Sequence, residues 1–111
     1  MKVFVINLKK NHERMKVIDS RLRGLDIVCE RLEAVCGREV SIDERRVKPG
    51  RFWRCIKGYP VRDGEYGCAM SYLNFSRRMI QDDPSVACVL EDDANPLIIH
   101  SRVVRYLKNG R

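Results

Sequence analysis

A strand, an amphipathic helix and a second strand within the first 33 residues leave this chain few folds to choose from. Residues 1–8 place β-branched and aromatic side chains in Val3-Phe4-Val5-Ile6, the composition of a strand. Asn11 is then placed to cap a helix, with Glu13 in its first turn facing the positive end of the helix dipole. Met15, Ile18, Leu22 and Leu25 recur at helical spacing, and Gly24 lies near the expected stop. Ile27 to Leu32 reads as a second strand. Two strands joined through a helix rather than a tight turn run parallel, which makes this opening a βαβ unit and the chain an α/β protein.

The rest extends the same architecture after an interruption. From Gly37 to Asp63 the apolar residues keep no period, and Pro49-Gly50 and Gly58-Tyr59-Pro60 punctuate the stretch. Residues 38–63 are therefore expected to form an irregular basic loop with one short helical turn. Tyr66, Ala69, Met70, Leu73 and Ile80 mark one face of a helix expected over 65–81, stopped by Asp82-Asp83-Pro84. Val86 to Glu91 is nearly continuous in apolar residues, the pattern of a central parallel strand. Asn95-Pro96 supplies an N-cap and a first-turn proline, and Leu97, Val103, Val104 and Leu107 suggest a last helix.

That third strand ends in Glu91-Asp92-Asp93. Adjacent acids repel one another unless something cationic sits among them. Mg²⁺ or Mn²⁺ takes one or two carboxylates together with substrate phosphate oxygens, and open α/β sheets bind ligands at the carboxyl ends of their strands. The acids therefore point to a metal–diphosphate site, against the plainer reading of a solvated loop.

Composition narrows the partners. At 44% hydrophobic and 33% charged residues the chain is globular rather than disordered. A formal charge of +7 favours anionic partners. Six basic residues and no acid lie between Arg45 and Lys57, with Phe52 and Trp53 among them, which raises a single-strand nucleic-acid module as an alternative. No helix-turn-helix, RNP or zinc-finger pattern accompanies it, so nucleic acid is not the expected partner. Cys29, Cys36, Cys55, Cys68 and Cys88 are odd in number and form no C-x-x-C pair, which favours reduced thiols, with Cys68 and Cys88 read as small hydrophobes. The N-terminus lacks a signal-peptide h-region, so the expected location is the cytoplasm, with peripheral contact at an anionic inner membrane as an extension. A response-regulator receiver also gathers acids at a strand end, but there they end the first strand and precede a phospho-accepting Asp. Here they end the third, and no acid follows Asp93.

Four blocks in order carry a resemblance: Val5-Ile6-Asn7-Leu8 with Arg14, Ala34-Val35-Cys36-Gly37, Gly64-Glu65-Tyr66-Gly67-Cys68-Ala69-Met70-Ser71, and Val89-Leu90-Glu91-Asp92-Asp93. Together they resemble glycosyltransferase family 25, the bacterial lipooligosaccharide-biosynthesis enzymes related to collagen galactosyltransferases. The resemblance implies a Rossmann-like, GT-A-type nucleotide-sugar fold with a mostly parallel sheet. It also implies transfer of a sugar, often galactose from UDP-galactose, to a saccharide or glycolipid acceptor, with Mn²⁺ or Mg²⁺ as cofactor. By position Asp93 is then the expected metal ligand, and Glu91, on the same side of an extended chain, serves the donor ribose or the metal. Asp92 faces elsewhere unless the strand end turns. Asn7 and Leu8 lie where base and ribose would sit. Arg14 reaches a phosphate or an acidic neighbour, or is simply a solvated helix residue. Glu65 is placed for the donor or, more plainly, for capping its helix; Ser71 and Tyr72 face the cleft or pack.

The chain departs from the family pattern in having Tyr72 where a histidine is usual and Cys36 where an acid is usual. It is also about half the length of family members or less. Residues 1–111 are accordingly expected to be the donor-binding part of a truncated family 25 domain. No residue stands out as the base for the acceptor hydroxyl, and a non-catalytic remnant is the competing expectation.

Overall fold

The computed structural model describes residues 1–41, 43, 44, 55, 56, 58, 61–84, 86–96, 105 and 109. Its elements in order are β1 (Lys2–Asn7), α1 (His12–Arg23), β2 (Cys29–Glu33), a single 3₁₀ turn at Gly37–Glu39, α2 (Asp63–Asp82) and β3 (Ala87–Glu91). The basic residues from Arg45 to Lys57, with Phe52 and Trp53, lie outside the described residues, as does nearly all of the helix expected after Asn95-Pro96. No helix among the described residues is long and apolar enough to cross a membrane.

The three strands form one parallel sheet in the order β2-β1-β3, with Val3 opposite Cys29 and Cys88, and Ile6 opposite Leu32 and Glu91. The expected βαβ unit is present. The central strand, however, is β1 rather than β3. Residues Val3 to Asn7 are all buried, whereas the four apolar residues of β3 are half-buried. Apolar continuity marks burial on both faces but does not say which of two such strands takes the middle.

The two helices cover opposite faces. Ile18 and Leu22 of α1 are fully buried against Val3, Val5 and Ile27. Phe4, pointing the other way, meets Phe75 of α2 edge-on at 5.8 Å between ring centroids. This follows from the strand order. A crossover of fixed hand that steps from β1 to β2 and then back past β1 to β3 lays its second helix on the other face. The result is a Rossmann-like α/β layer whose strand order reverses between β1 and β3, and that reversal opens a crevice at the strand ends.

The helix ends differ from expectation in detail. The backbone of Gly24 stays right-handed (φ −60°) as α1 ends, and Asp26 makes the left-handed turn (φ 57°), letting Ile27 N–H reach the Leu22 carbonyl at 2.9 Å. Asn11 holds the N-cap position, but its side chain makes no capping hydrogen bond. On α2 the buried residues are Tyr66, Gly67, Met70 and Ser71, while Ala69 and Leu73 are exposed and Ile80 is 81% exposed. Tyr66 and Met70 are buried as expected, and the face turns from Ala69, Leu73 and Ile80 toward Gly67 and Ser71 because Gly67 packs backbone-to-backbone against the loop after β2. A Cβ there would sit 2.5 Å from the Val35 carbonyl oxygen.

At the opposite end of the sheet, Arg78 of α2 donates to Asp82 at 2.7 Å and to Glu30 of β2 at 3.1 Å, and Lys2 of β1 lies 3.6 Å from Asp82. The hydrogen bond from Arg78 holds the Asp82 carboxyl below its usual value despite some desolvation. A depressed carboxylate stabilises the fold above the unfolded-state value, about 3.9, and loses that contribution as pH falls through the lower folded-state value. The melting temperature is therefore expected to drop on acidification below about pH 4, and to drop less steeply in Asp82→Asn when the two melting curves are compared from pH 7 to 3.

Candidate functional site

All three strands deliver residues to one cleft at their carboxyl ends. It has a volume of about 440 Å³ and is lined by Leu8 after β1, Ala34 to Arg38 after β2, Glu91 and Asp92 at the end of β3, and the first turns of α2. A smaller adjoining cavity of about 270 Å³ shares Leu8, Lys10, Ala34 and Cys36 and adds Lys9, His12, Glu33 and Glu39.

The acids are arranged by a turn. Immediately after Glu91 the chain leaves the strand, and Ala94 N–H returns to the Glu91 carbonyl at 3.1 Å. The turn breaks the strict side-to-side alternation of a strand and brings Asp92 onto the cleft. Its Oδ2 accepts a 2.7 Å hydrogen bond from Asn7 Nδ2, and its Oδ1 lies 3.7 Å from an Arg14 guanidinium nitrogen. The Asp92 side chain is only 12% exposed. Its neighbour Glu91 accepts from the Tyr72 hydroxyl at 3.1 Å. Partial burial and then this hydrogen bond push the Tyr72 phenol above its usual value, so Tyr72 serves Glu91 as a neutral donor at physiological pH. Two carboxylates thus face the cleft, each steadied by a donor from another element, with Lys10, Arg14 and Arg38 also lining it.

The sequence-derived residues divide. Leu8, Arg14, Ser71 and Glu91 line the cleft, and Arg14 takes the acidic neighbour offered by Asp92. Asp93 is exposed and does not line it; the same turn that brings in Asp92 leaves Asp93 outside. Asn7 is 1% exposed and lies behind the cleft wall. Glu65 lies away from the cleft lining and accepts from the Arg62 backbone N–H at 3.1 Å, the reach-back of a helix start. Ser71 also has a packing role: its hydroxyl donates to the Gly67 carbonyl at 2.7 Å and accepts from Val35 N–H at 2.9 Å, tying α2 to the loop after β2. Cys68, read as a core hydrophobe, is instead exposed on the cleft with Cys36.

Sequence reasoning placed Asp92 elsewhere unless the strand end turned, as it does, and put Tyr72 on the cleft or in the packing without naming Glu91 as its partner. One signal was available. An amide that follows an unbroken apolar run, as Asn7 follows Val3 to Ile6, must find hydrogen-bond partners when buried, and the strand end beside it holds the three acids.

Among the described residues no three His, Cys, Asp or Glu side chains gather as a metal-ligand group. A hard divalent ion bridging a diphosphate needs only one or two carboxylates from the protein, so the pair Glu91 and Asp92 fits that chemistry.

The geometry is that of a ligand cleft at the switch point of a Rossmann-like sheet. The family model "Glycosyltransferase family 25 (LPS biosynthesis protein)" matches residues 1–107, and the chain belongs to that family. Procollagen galactosyltransferase 1-B of Xenopus laevis is 31% identical over 110 residues, covering 95% of this chain and 18% of the relative. A glycosyltransferase 25 family member of Anopheles gambiae is 34% identical over 102 residues (82% and 16%), and one of Drosophila melanogaster 31% over 99 residues (83% and 16%). The chain therefore spans less than a fifth of the length of these curated relatives.

Proposed function

We propose that this chain carries the donor-binding part of a GT-A-type glycosyltransferase, taking a UDP-sugar with Mn²⁺ or Mg²⁺ and serving transfer of the sugar to a saccharide or glycolipid acceptor. The observation that carries the reading is the pair Glu91 and Asp92 facing a cleft at the β1/β3 reversal, with Arg14 beside Asp92 and Lys10 and Arg38 also on the lining. Family membership supports sugar transfer, and the name of the Xenopus relative supports galactose.

Asp92 and Glu91 are the residues that would hold the divalent ion. When bound, the ion supplies Lewis-acid neutralisation of the charge that develops on departing UDP. The chain's own groups do the rest. Arg14, next to Asp92, balances carboxylate charge before the donor arrives and is free to turn toward a phosphate afterwards. Tyr72 keeps Glu91 oriented. Leu8 and the backbone from Ala34 to Gly37 form the wall at the ends of β1 and β2, on the side expected to receive the base and ribose.

The reading is tested by thermal denaturation of the purified chain with a panel of nucleotide sugars in the presence of Mn²⁺. UDP-galactose at about 100 times its dissociation constant should add about 2.7 kcal/mol to stability. GDP-mannose and CMP-sialic acid should add far less. Equal stabilisation by all three, or by none, would remove the proposal.

A further inference from the structure

We infer that Arg31, which lies outside the cleft, is a positioning residue for Asp92 and acts through Asn7. The inference rests on the proposed donor site for its functional meaning, but the contacts that support it do not.

Arg31 sits on β2 opposite Val5, and its side chain reaches the last residue of β1. There it grips Asn7 twice. Its Nε donates to the Asn7 side-chain oxygen at 3.0 Å, and Nη2 donates to the Asn7 backbone carbonyl at 3.2 Å. The acceptor end of the Asn7 amide is thereby fixed toward β2. Its Nδ2 then faces the other way and donates to the Asn11 carbonyl at the start of α1, at 3.0 Å, and to Asp92 Oδ2 at 2.7 Å. Both amide protons and the side-chain oxygen are engaged within the protein. Asn7 therefore has no donor left for a nucleotide, and its place behind the wall agrees with that.

Arg31 holds the oxygen end of the amide, and the two acceptors hold its nitrogen end. An amide turned by 180° would set its NH₂ against the guanidinium, two donors face to face. It would also set its oxygen against the Asp92 carboxylate and the Asn11 carbonyl, acceptors against acceptors. All three side-chain contacts would be lost together, so the cation on β2 reinforces from the oxygen side the orientation that presents N–H to Asp92, and its second bond, to the Asn7 carbonyl, fixes where that amide sits. A carboxylate held this way offers its remaining lone pairs in a fixed direction, which is how partners behind a ligand tune a metal site. Arg31 itself does not line the cleft, and the carboxylate 4.0 Å from it, Glu33, lies at the end of its own strand.

The test uses two readouts on wild type, Arg31→Met, Arg31→Lys and Asn7→Ser. The first is Mn²⁺ affinity in the presence of UDP, followed by the electron paramagnetic resonance of free Mn²⁺. Arg31→Met and Asn7→Ser should each weaken it by about 10–100-fold, the range for residues one layer behind a metal ligand, with much of the loss restored in Arg31→Lys. The second is the ¹H–¹⁵N signal of the Asn7 carboxamide without ligand, which Arg31→Met should shift in the same sense as Asp92→Asn. An unmoved Asn7 signal in Arg31→Met overturns the inference, and so does wild-type Mn²⁺ affinity in that variant. If wild type binds no Mn²⁺ with UDP, the proposed donor site falls, and the carboxamide signal still decides the chain from Arg31 to Asp92. Should Arg31→Met not fold, Arg31→Ala takes its place in both readouts with the same outcomes, Arg31 being exposed on its strand.

Discussion

Replacing Asp92 with Asn is expected to weaken Mn²⁺-dependent binding of UDP-galactose by at least about a hundredfold, near 2.8 kcal/mol at about 1.4 kcal/mol per decade. Asp93→Asn is expected to change it by less than about threefold, as removal of an exposed charge usually does. The two residues are adjacent and chemically identical, and only their placement separates them. Asp92 is 12% exposed, lines the cleft and is held by Asn7 and Arg14, whereas Asp93 lies outside on the surface. The asparagine keeps an oxygen that can accept from Asn7 Nδ2, so the substitution removes charge and leaves the local shape. Titration of both variants by calorimetry checks the contrast. Equal losses in the two would mean that the turn after Glu91 does not select between them.

The second large effect concerns the seam that builds the cleft wall. Where Gly37 of the loop after β2 meets Gly67 of α2, backbone lies against backbone with no side chain between them. An added Cβ on Gly67 would lie 2.5 Å from the Val35 carbonyl oxygen and 2.9 Å from the Gly37 backbone nitrogen, and one on Gly37 would overlap the carbonyl of Asp63. These neighbours are backbone and cannot rotate away. Alanine at a helix position normally gains about 1 kcal/mol over glycine, but overpacking of this kind costs about 1–3 kcal/mol or more. Gly67→Ala and Gly37→Ala should each lower stability by about 3 kcal/mol, and a domain of this size then melts lower by roughly 12–24 °C. Gly64, also in α2, has open space where its Cβ would go, so Gly64→Ala should raise the melting temperature slightly. Thermal unfolding of the three variants checks the prediction through its opposite signs.

The elements were legible because their periods are strong. Val3 to Ile6, the Met15–Ile18–Leu22 spacing and the Asp82-Asp83-Pro84 stop all correspond to what forms, with Asp83 in the left-handed region at the end of α2 (φ 44°). The buried face of α2 was legible only in part: Tyr66 and Met70 are buried as expected, but close approach brings in the small Gly67 and Ser71 in place of Ala69, Leu73 and Ile80. The site was legible as a place but not in its atoms. Glu91 and Asp92 of the strand-end acids line the cleft, whereas the resemblance pointed to Asp93, which the turn after Glu91 leaves outside. The partnership of Asn7 with Asp92 spans 85 positions, and Arg31 joins it from a third strand. No local pattern records contacts that only the strand order β2-β1-β3 brings together.

The measurement that bears most directly on the central claim is calorimetric titration of the folded chain with UDP-galactose, with Mn²⁺ and again with EDTA in its place. Saturable binding that requires Mn²⁺ is the predicted result. Binding of equal strength in EDTA, or none by a folded chain, would contradict the claim that Glu91 and Asp92 make this cleft a metal-dependent donor site.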